Sequence, residues 1–152
     1  MTASSVMISN PTVLRPTDTI GTAAEYIMEH RYRRLPVVAA DGRYLGVFGV
    51  ECLLRMVLPK ALVMERGLEN APFIRGTLSD LHRRFMEFEG QPVSLCMREE
   101  TLTVAPDTPL IETLRILYEH RSSLPVVDSD TGRLVGMISY WDAGAAILAA
   151  EV

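Results

Sequence analysis

Apolar positions along the chain follow two periods, and their order occurs twice. Ile20, Ala23, Ala24 and Ile27 recur at the spacing of one helix face, as do Leu110, Leu114, Leu117 and Tyr118 further on. Ahead of each stripe lies a short extended segment, Thr12-Val13-Leu14 or Leu102-Thr103-Val104, ended by a proline two residues later. After each stripe comes Leu-Pro-Val-Val, at Leu35 to Val38 and Leu124 to Val127, whose continuous apolar character predicts a buried strand. Turn residues follow at Asp41-Gly42 and Ser129-Asp130-Thr131-Gly132, then second strands from Leu45 to Val50 and from Leu134 to Ser139. Closing helices are predicted from near Glu51 and near Trp141. Each unit therefore reads β-α-β-β-α, and Thr108 before Pro109 supplies an N-cap and first-turn pair in the second.

The two units are copies. Met7 matches Met97, Pro16 matches Pro106 and Glu29-His30-Arg31 matches Glu119-His120-Arg121, all at an offset of 90. The offset is 89 at Leu-Pro-Val-Val and 90 again at Gly46 against Gly136, so each slip falls in an expected loop. That period exceeds the roughly 20 to 50 residues of solenoid repeats, which makes this a duplicated subdomain. One copy alone hides too little apolar surface to be secure. The predicted fold is α/β (α+β): two pseudo-symmetric β-α-β-β-α repeats packed sheet to sheet. Repeat 1 covers 6–58, a helical connector covers 59–92 and repeat 2 covers 93–150. In the connector Leu78, Leu81, Phe85 and Phe88 form an apolar stripe.

Composition narrows the function. The chain has 152 residues, 48% of them hydrophobic, enough for one domain or two small units sharing a core. Fifteen Lys plus Arg against nineteen Asp plus Glu leave a net charge of −4, so no global field attracts DNA or an acidic membrane. The cluster Arg31 to Arg34 is too small for a nucleic-acid surface. No apolar run approaches membrane-spanning length. Cys52 and Cys96 lack a C-x-x-C spacing and read as small buried hydrophobes, which points to a reduced cytoplasmic setting. His30 and His120 read as helix-end residues, with no metal pattern. Met28, Met56, Met64 and Met86 read as packing residues. No Walker loop, Gly-x-Ser-x-Gly, His-Glu-x-x-His or paired nucleophile and base occurs, so a non-catalytic role is expected.

Three strings in each copy carry a family likeness: Pro16-Thr17-Asp18-Thr19-Ile20, Leu35-Pro36-Val37-Val38 and Gly42 to Val47, then Pro106-Asp107-Thr108-Pro109-Leu110, Leu124 to Asp128 and Gly132 to Asp142. In this order, and twice over, they resemble a tandem pair of CBS domains, the Bateman module. The resemblance implies a regulatory module that binds an adenosine-containing ligand, AMP, ADP, ATP or S-adenosylmethionine, in the cleft between the copies. It also implies a homodimer and an effector protein in another chain.

The family's strand end, Gly-hydrophobic-hydrophobic-Thr/Ser-x-x-Asp, is matched in full by Gly136-Met137-Ile138-Ser139-Tyr140-Trp141-Asp142. Ser139 stands just before a helix, where its hydroxyl and free backbone N–H groups suit a phosphate or sugar oxygen. Asp142 is acceptor-only and suits the paired hydroxyls of a ribose. Adenine is then expected between Leu102-Thr103-Val104 and Ser122-Ser123-Leu124-Pro125, with Met137 on the neighbouring strand. The plainer reading of Ser139 and Asp142 is a helix cap and a first-turn acid. In the first copy Gly49 and Cys52 replace the hydroxyl and the acid, so that site is expected to be degenerate. In related modules a basic residue before Leu-Pro-Val of one copy reaches the phosphate held by the other. Arg34 and Arg33 fill that place in the first copy, Ser122-Ser123 in the second; the plainer reading of the arginines is cations at a helix C-terminus.

The competing function is an assembly module that binds no ligand, its clefts empty or filled by its own side chains, with Phe73 or Arg75 as fillers. The small apolar run Ala143 to Ala150 is either a dimer surface or a core-facing helix.

Overall fold

The computed structural model describes residues 1–58, 76–99 and 102–151. Met64, Phe73, Arg75 and the first part of the expected connector lie outside the described residues. Along the chain run a 3-10 turn (Ala3–Ser5), α1 (Ile20–His30), β1 (Arg34–Val38), β2 (Tyr44–Gly49), α2 (Val50–Val57), α3 (Leu78–Phe88), a second 3-10 turn (Val93–Leu95), α4 (Leu110–His120), β3 (Leu124–Val127), β4 (Leu134–Ile138) and α5 (Tyr140–Ala149). This is the two-repeat α+β fold. The closing helices start at Val50 and Tyr140, one residue ahead of each expectation.

Local chemistry sets these boundaries. Thr19 caps α1, its hydroxyl oxygen accepting from Thr22 N at 3.2 Å, and Ile20, Ala23, Ala24 and Ile27 are all buried. The second stripe departs from the expected one. Thr113 is fully buried while Tyr118 is 77% exposed. The buried register is set by Thr113 and Leu117, the counterparts of Ala23 and Ile27 at the offset of 90. Thr113 tolerates burial because its hydroxyl donates to Pro109 O at 2.9 Å. Nor does Thr108 cap α4. Its hydroxyl oxygen accepts from Ala105 N at 3.1 Å, closing the preceding turn, and Pro109 occupies the cap position with no side-chain bond.

Both hairpin turns rest on a glycine in the left-handed region, Gly42 at φ 89° and Gly132 at φ 72°. β3 and β4 pair antiparallel, Leu124 opposite Ile138 and Pro125 opposite Met137, with an irregularity between Val126 and Val127. β1 and β2 form the other two-stranded sheet. The turns also bond to each other: Tyr44 N donates to Gly132 O at 2.9 Å and Leu134 N to Gly42 O at 3.0 Å. The Arg43 backbone N–H holds the Asp41 carboxyl below its usual range, and the N–H groups of Asp130 and Thr131 do the same for Asp128.

The chain forms two compact units. One comprises Met1–Val13, Pro36–Gly46 and Glu99–Val152. Its core gathers Ala3, Val104, Leu117, Leu124, Val126, Ile138 and Ala143, so the N-terminal segment packs with the second repeat. Of the small apolar run beginning at Ala143, that first residue is buried, whereas Ile147 and Leu148 are exposed.

The other unit comprises Leu14–Leu35 and Val47–Arg98. Here Ile20, Ile27, Leu35, Phe48, Cys52, Val93 and Cys96 are buried. α3 lies against α2, and Arg84 Nη1 donates to Val57 O at 3.1 Å. Its start is fixed by a reciprocal cap between Thr77 and Asp80, whose donors hold the Asp80 carboxyl below its usual range. Leu81, Phe85 and Phe88 are half-buried, but Leu78 is 84% exposed, so the connector stripe starts one turn later than read. Among the described residues no helix is long and apolar enough to cross a membrane.

Candidate functional site

Strand β4 ends at Ile138, and Ser139, in extended conformation, caps α5. Its hydroxyl donates to Asp142 Oδ2 at 2.8 Å and accepts from Asp142 N at 3.0 Å, while Ser139 N donates to the same Oδ2 at 2.9 Å. The plainer reading of this pair is therefore realised as a capping box. The box also orients the carboxylate. Two donors fill Oδ2, and Oδ1 keeps both lone pairs with no hydrogen bond among the described residues. Those two lone pairs sit in the first turn of a helix, where the dipole favours anions and N–H groups are unpaired.

The turn carries more than the motif. Tyr140 Oη donates to Leu117 O at 2.9 Å and lies 3.4 Å from Tyr118 O, tying the first turn of α5 to the last turn of α4. α4 ends at Arg121 in left-handed conformation, and Ser122-Ser123 lead into β3. Val104 bridges Val126 in parallel, its N–H donating to Pro125 O at 3.0 Å and its carbonyl accepting from Val127 N at 2.8 Å. Leu124, Pro125, Val104 and Met137 are buried, and Thr103 and Ser123 are half-buried. Trp141, at 87% exposure, stands beside Asp142. Sequence reasoning passed over Tyr140, although a tyrosine inside the cap motif was its available signal.

Eight of the expected residues thus share one compact unit: Thr103, Val104, Ser123, Leu124, Pro125, Met137, Ser139 and Asp142. Arg33 and Arg34 belong to the other unit, Arg34 as the first residue of β1. There the matching corner is built differently. Gly49 caps α2 with no side-chain bond, and Val50 N donates to Arg33 O at 3.2 Å. A Cβ on Gly49 would stand 2.5 Å from Arg33 O and 2.7 Å from Arg34 Cβ, so no hydroxyl-bearing residue fits without moving β1. Cys52, at the position of the acid, is 2% exposed, and Glu51 is ion-paired with Arg98 instead. The nearby Cys96 thiol is pushed up to about 11 by burial, with Cys52 adding to the effect. Among the described residues no cluster of three or more His, Cys, Asp or Glu forms a metal site.

The CBS domain pattern matches residues 3–58 and again residues 93–148. The chain belongs to the CBS domain family. This CBS pair is 30% identical over 133 residues, 84% of its length, to CBSX1 of Arabidopsis thaliana, a CBS domain-containing protein named as chloroplastic. It spans about half of that relative, 55%. The fold of CBSX2 from Arabidopsis thaliana superposes with a TM-score of 0.73 at 26% identity, covering 97% of this chain and 94% of CBSX2. A CBSX2 crystal structure in complex with AMP gives a TM-score of 0.70 at 25% identity, covering 97% and 96%.

Proposed function

We propose that this CBS pair is a non-catalytic regulatory module that binds one adenine nucleotide per chain at the Ser139–Asp142 corner. AMP, ADP and ATP share the required ribose and phosphate, and S-adenosylmethionine shares the adenosine half. The observation that carries the reading is the pre-oriented Asp142 carboxylate, whose Oδ1 is open to two ribose hydroxyls while Oδ2 is held by Ser139. The AMP complex of CBSX2 supports the ligand class. Thr103 and Ser123 flank the base, and Arg34, with Arg33 beside it, supplies the counter-charge for the phosphate. Binding shifts a conformational or dimer equilibrium by its difference in affinity for two states, and a partner protein reads the change. The paired buried thiols suit a reducing compartment such as the cytosol.

Calorimetric titration with AMP, ADP, ATP and S-adenosylmethionine tests this, with Trp141 fluorescence as a second readout. At least one ligand is expected to bind at about one per chain. Asp142→Ala should weaken it far more than Cys52→Ala, and Arg34→Ala should weaken AMP far more than adenosine. Neither heat nor a melting shift with any of the four would favour the second reading, an assembly module with degenerate clefts. The closed Gly49 corner of the first repeat is the observation on that side.

A further inference from the structure

Helices α1 and α4 end alike, on an arginine in left-handed conformation, yet their last turns are closed by different donors. In the first repeat Ile27 O accepts from the backbone N–H groups of Arg31 and Tyr32, the latter at 3.1 Å. Its counterpart at the offset of 90, Leu117 O, accepts from Arg121 N at 3.1 Å and from the Tyr140 hydroxyl at 2.9 Å. A phenol from α5 thus stands where a main-chain N–H stands in the other copy. Two sequence differences accompany the exchange. Tyr32, Arg33 and Arg34 separate the left-handed arginine from Leu35, whereas Ser122 and Ser123 alone separate Arg121 from Leu124. Val50, which has no hydroxyl, occupies the position of Tyr140. The tie and the capping box therefore occur in the same repeat, and both are missing from the repeat whose corner is closed at Gly49.

The two devices hold different things. The capping box fixes the Asp142 carboxylate on its own helix and leaves Oδ1 to a ligand. It does not hold the first turn of α5 against the connection from α4 to β3. Tyr140, two residues before Asp142, does so through its bond to Leu117 O, 23 residues away in sequence. Directly after that turn of α4 the chain runs from Arg121 through Ser122-Ser123 into β3. The acceptor for a sugar is thereby linked to the segment that flanks a base. Recognition groups work when held within about 0.5 Å of the productive geometry, and hydrogen bonds behind the contacting group supply that precision.

We infer that Tyr140 is a positioning residue for ribose recognition: its hydroxyl bond to the end of α4 sets Asp142 Oδ1 at the place of the two sugar hydroxyls. The inference rests on the ribose role proposed for Asp142. It adds that a side chain touching no ligand carries part of the preference for ribose over a sugar without those hydroxyls. Removing the phenol oxygen keeps the carboxylate and loosens only its placement. The loss then falls on ligands that use both sugar hydroxyls.

Calorimetric titration of the parent chain and of Tyr140→Phe, each with AMP and with 2′,3′-dideoxyadenosine monophosphate, tests this at a temperature where melting curves show both proteins folded. The parent is expected to bind AMP more tightly than the dideoxy analogue. In Tyr140→Phe the affinity for AMP is expected to fall about fivefold, as for loss of one hydrogen bond, while that for the analogue changes by less than about twofold. A tyrosine that merely supports the fold would weaken both ligands alike. That result, or an unchanged affinity of Tyr140→Phe for AMP, overturns the inference. A parent chain that does not distinguish AMP from the analogue overturns the ribose role of Asp142 itself, and the inference with it.

Discussion

The two corners that follow β2 and β4 descend from one duplicated sequence, yet they solve the same problem with opposite means. Both must satisfy the N–H groups at the start of a helix. In the second repeat a side-chain pair, Ser139 and Asp142, does so, and one carboxylate oxygen is left without a hydrogen bond among the described residues. In the first repeat the carbonyl of Arg33 takes the Val50 N–H, and the backbone of Arg33 and Arg34 presses on Gly49. A corner closed by main chain is specified by what is missing from the sequence, a side chain at Gly49. A corner closed by side chains retains acceptors that a ligand can use. The difference explains how one duplication leaves one retained motif and one lost motif while the fold stays intact.

Substitutions at the two caps should break the comparison most visibly. Gly49→Ser drives a Cβ against backbone and is expected to destabilise by about 1 to 3 kcal/mol, as overpacking does. Ser139→Ala removes the cap without a clash and is expected to cost about 1 kcal/mol. Urea unfolding of both variants checks the order, and equal losses would mean that Arg33 and Arg34 yield easily.

The buried Cys96 thiol near the first corner makes that region sensitive to alkaline pH. Cys96 titrates at about 11 in the fold against 9.0 ordinarily, so the folded state holds its proton more tightly. That stabilising contribution is whole below pH 9.0 and is lost as pH rises through about 11. Melting temperature followed across this window should fall less steeply in Cys96→Ala than in the parent; parallel curves would contradict the assignment.

The smallest effect is one in which the repeats should agree. α1 and α4 both end on an arginine in left-handed conformation, Arg31 at φ 56° and Arg121 at φ 61°. Strain of about 1 to 2 kcal/mol is relieved by glycine, which in turn loses about 0.5 to 1 kcal/mol more chain entropy. Arg31→Gly and Arg121→Gly are each expected to stabilise by about 0.5 kcal/mol, read as a small rise in melting temperature. A loss at one site alone would show that its arginine makes contacts worth more than the strain.

Much of this was legible from residue order. The duplication, the strands at Leu35 and Leu124, the glycine turns and the helix starts rest on local period and turn chemistry, which act within a few residues. The second-repeat corner was legible for the same reason, since a capping box spans only Ser139 to Asp142. What escaped depends on which of several nearby partners claims a hydroxyl, or on backbone pairings between distant segments. Thr113 is polar and was passed over as a core position, because its hydroxyl is satisfied by Pro109 only once the helix has formed. Thr108 looks like a cap in isolation, but a turn at Ala105 claims its hydroxyl first. The bonds from Ala3 N to Thr108 O and from Val93 N to Asp18 O are backbone pairings with no periodic signature. Nor does anything near Gly49 in sequence announce that Arg33 will stand against it.

The interleaved make-up of the compact units has one more consequence. The chain passes between them four times, after Val13, Leu35, Gly46 and Arg98. A single nick at Gly90, just after α3, would sever none of those passages, since it falls inside one unit. The two pieces so made would each carry parts of both units, so rejoining them would have to rebuild both at once.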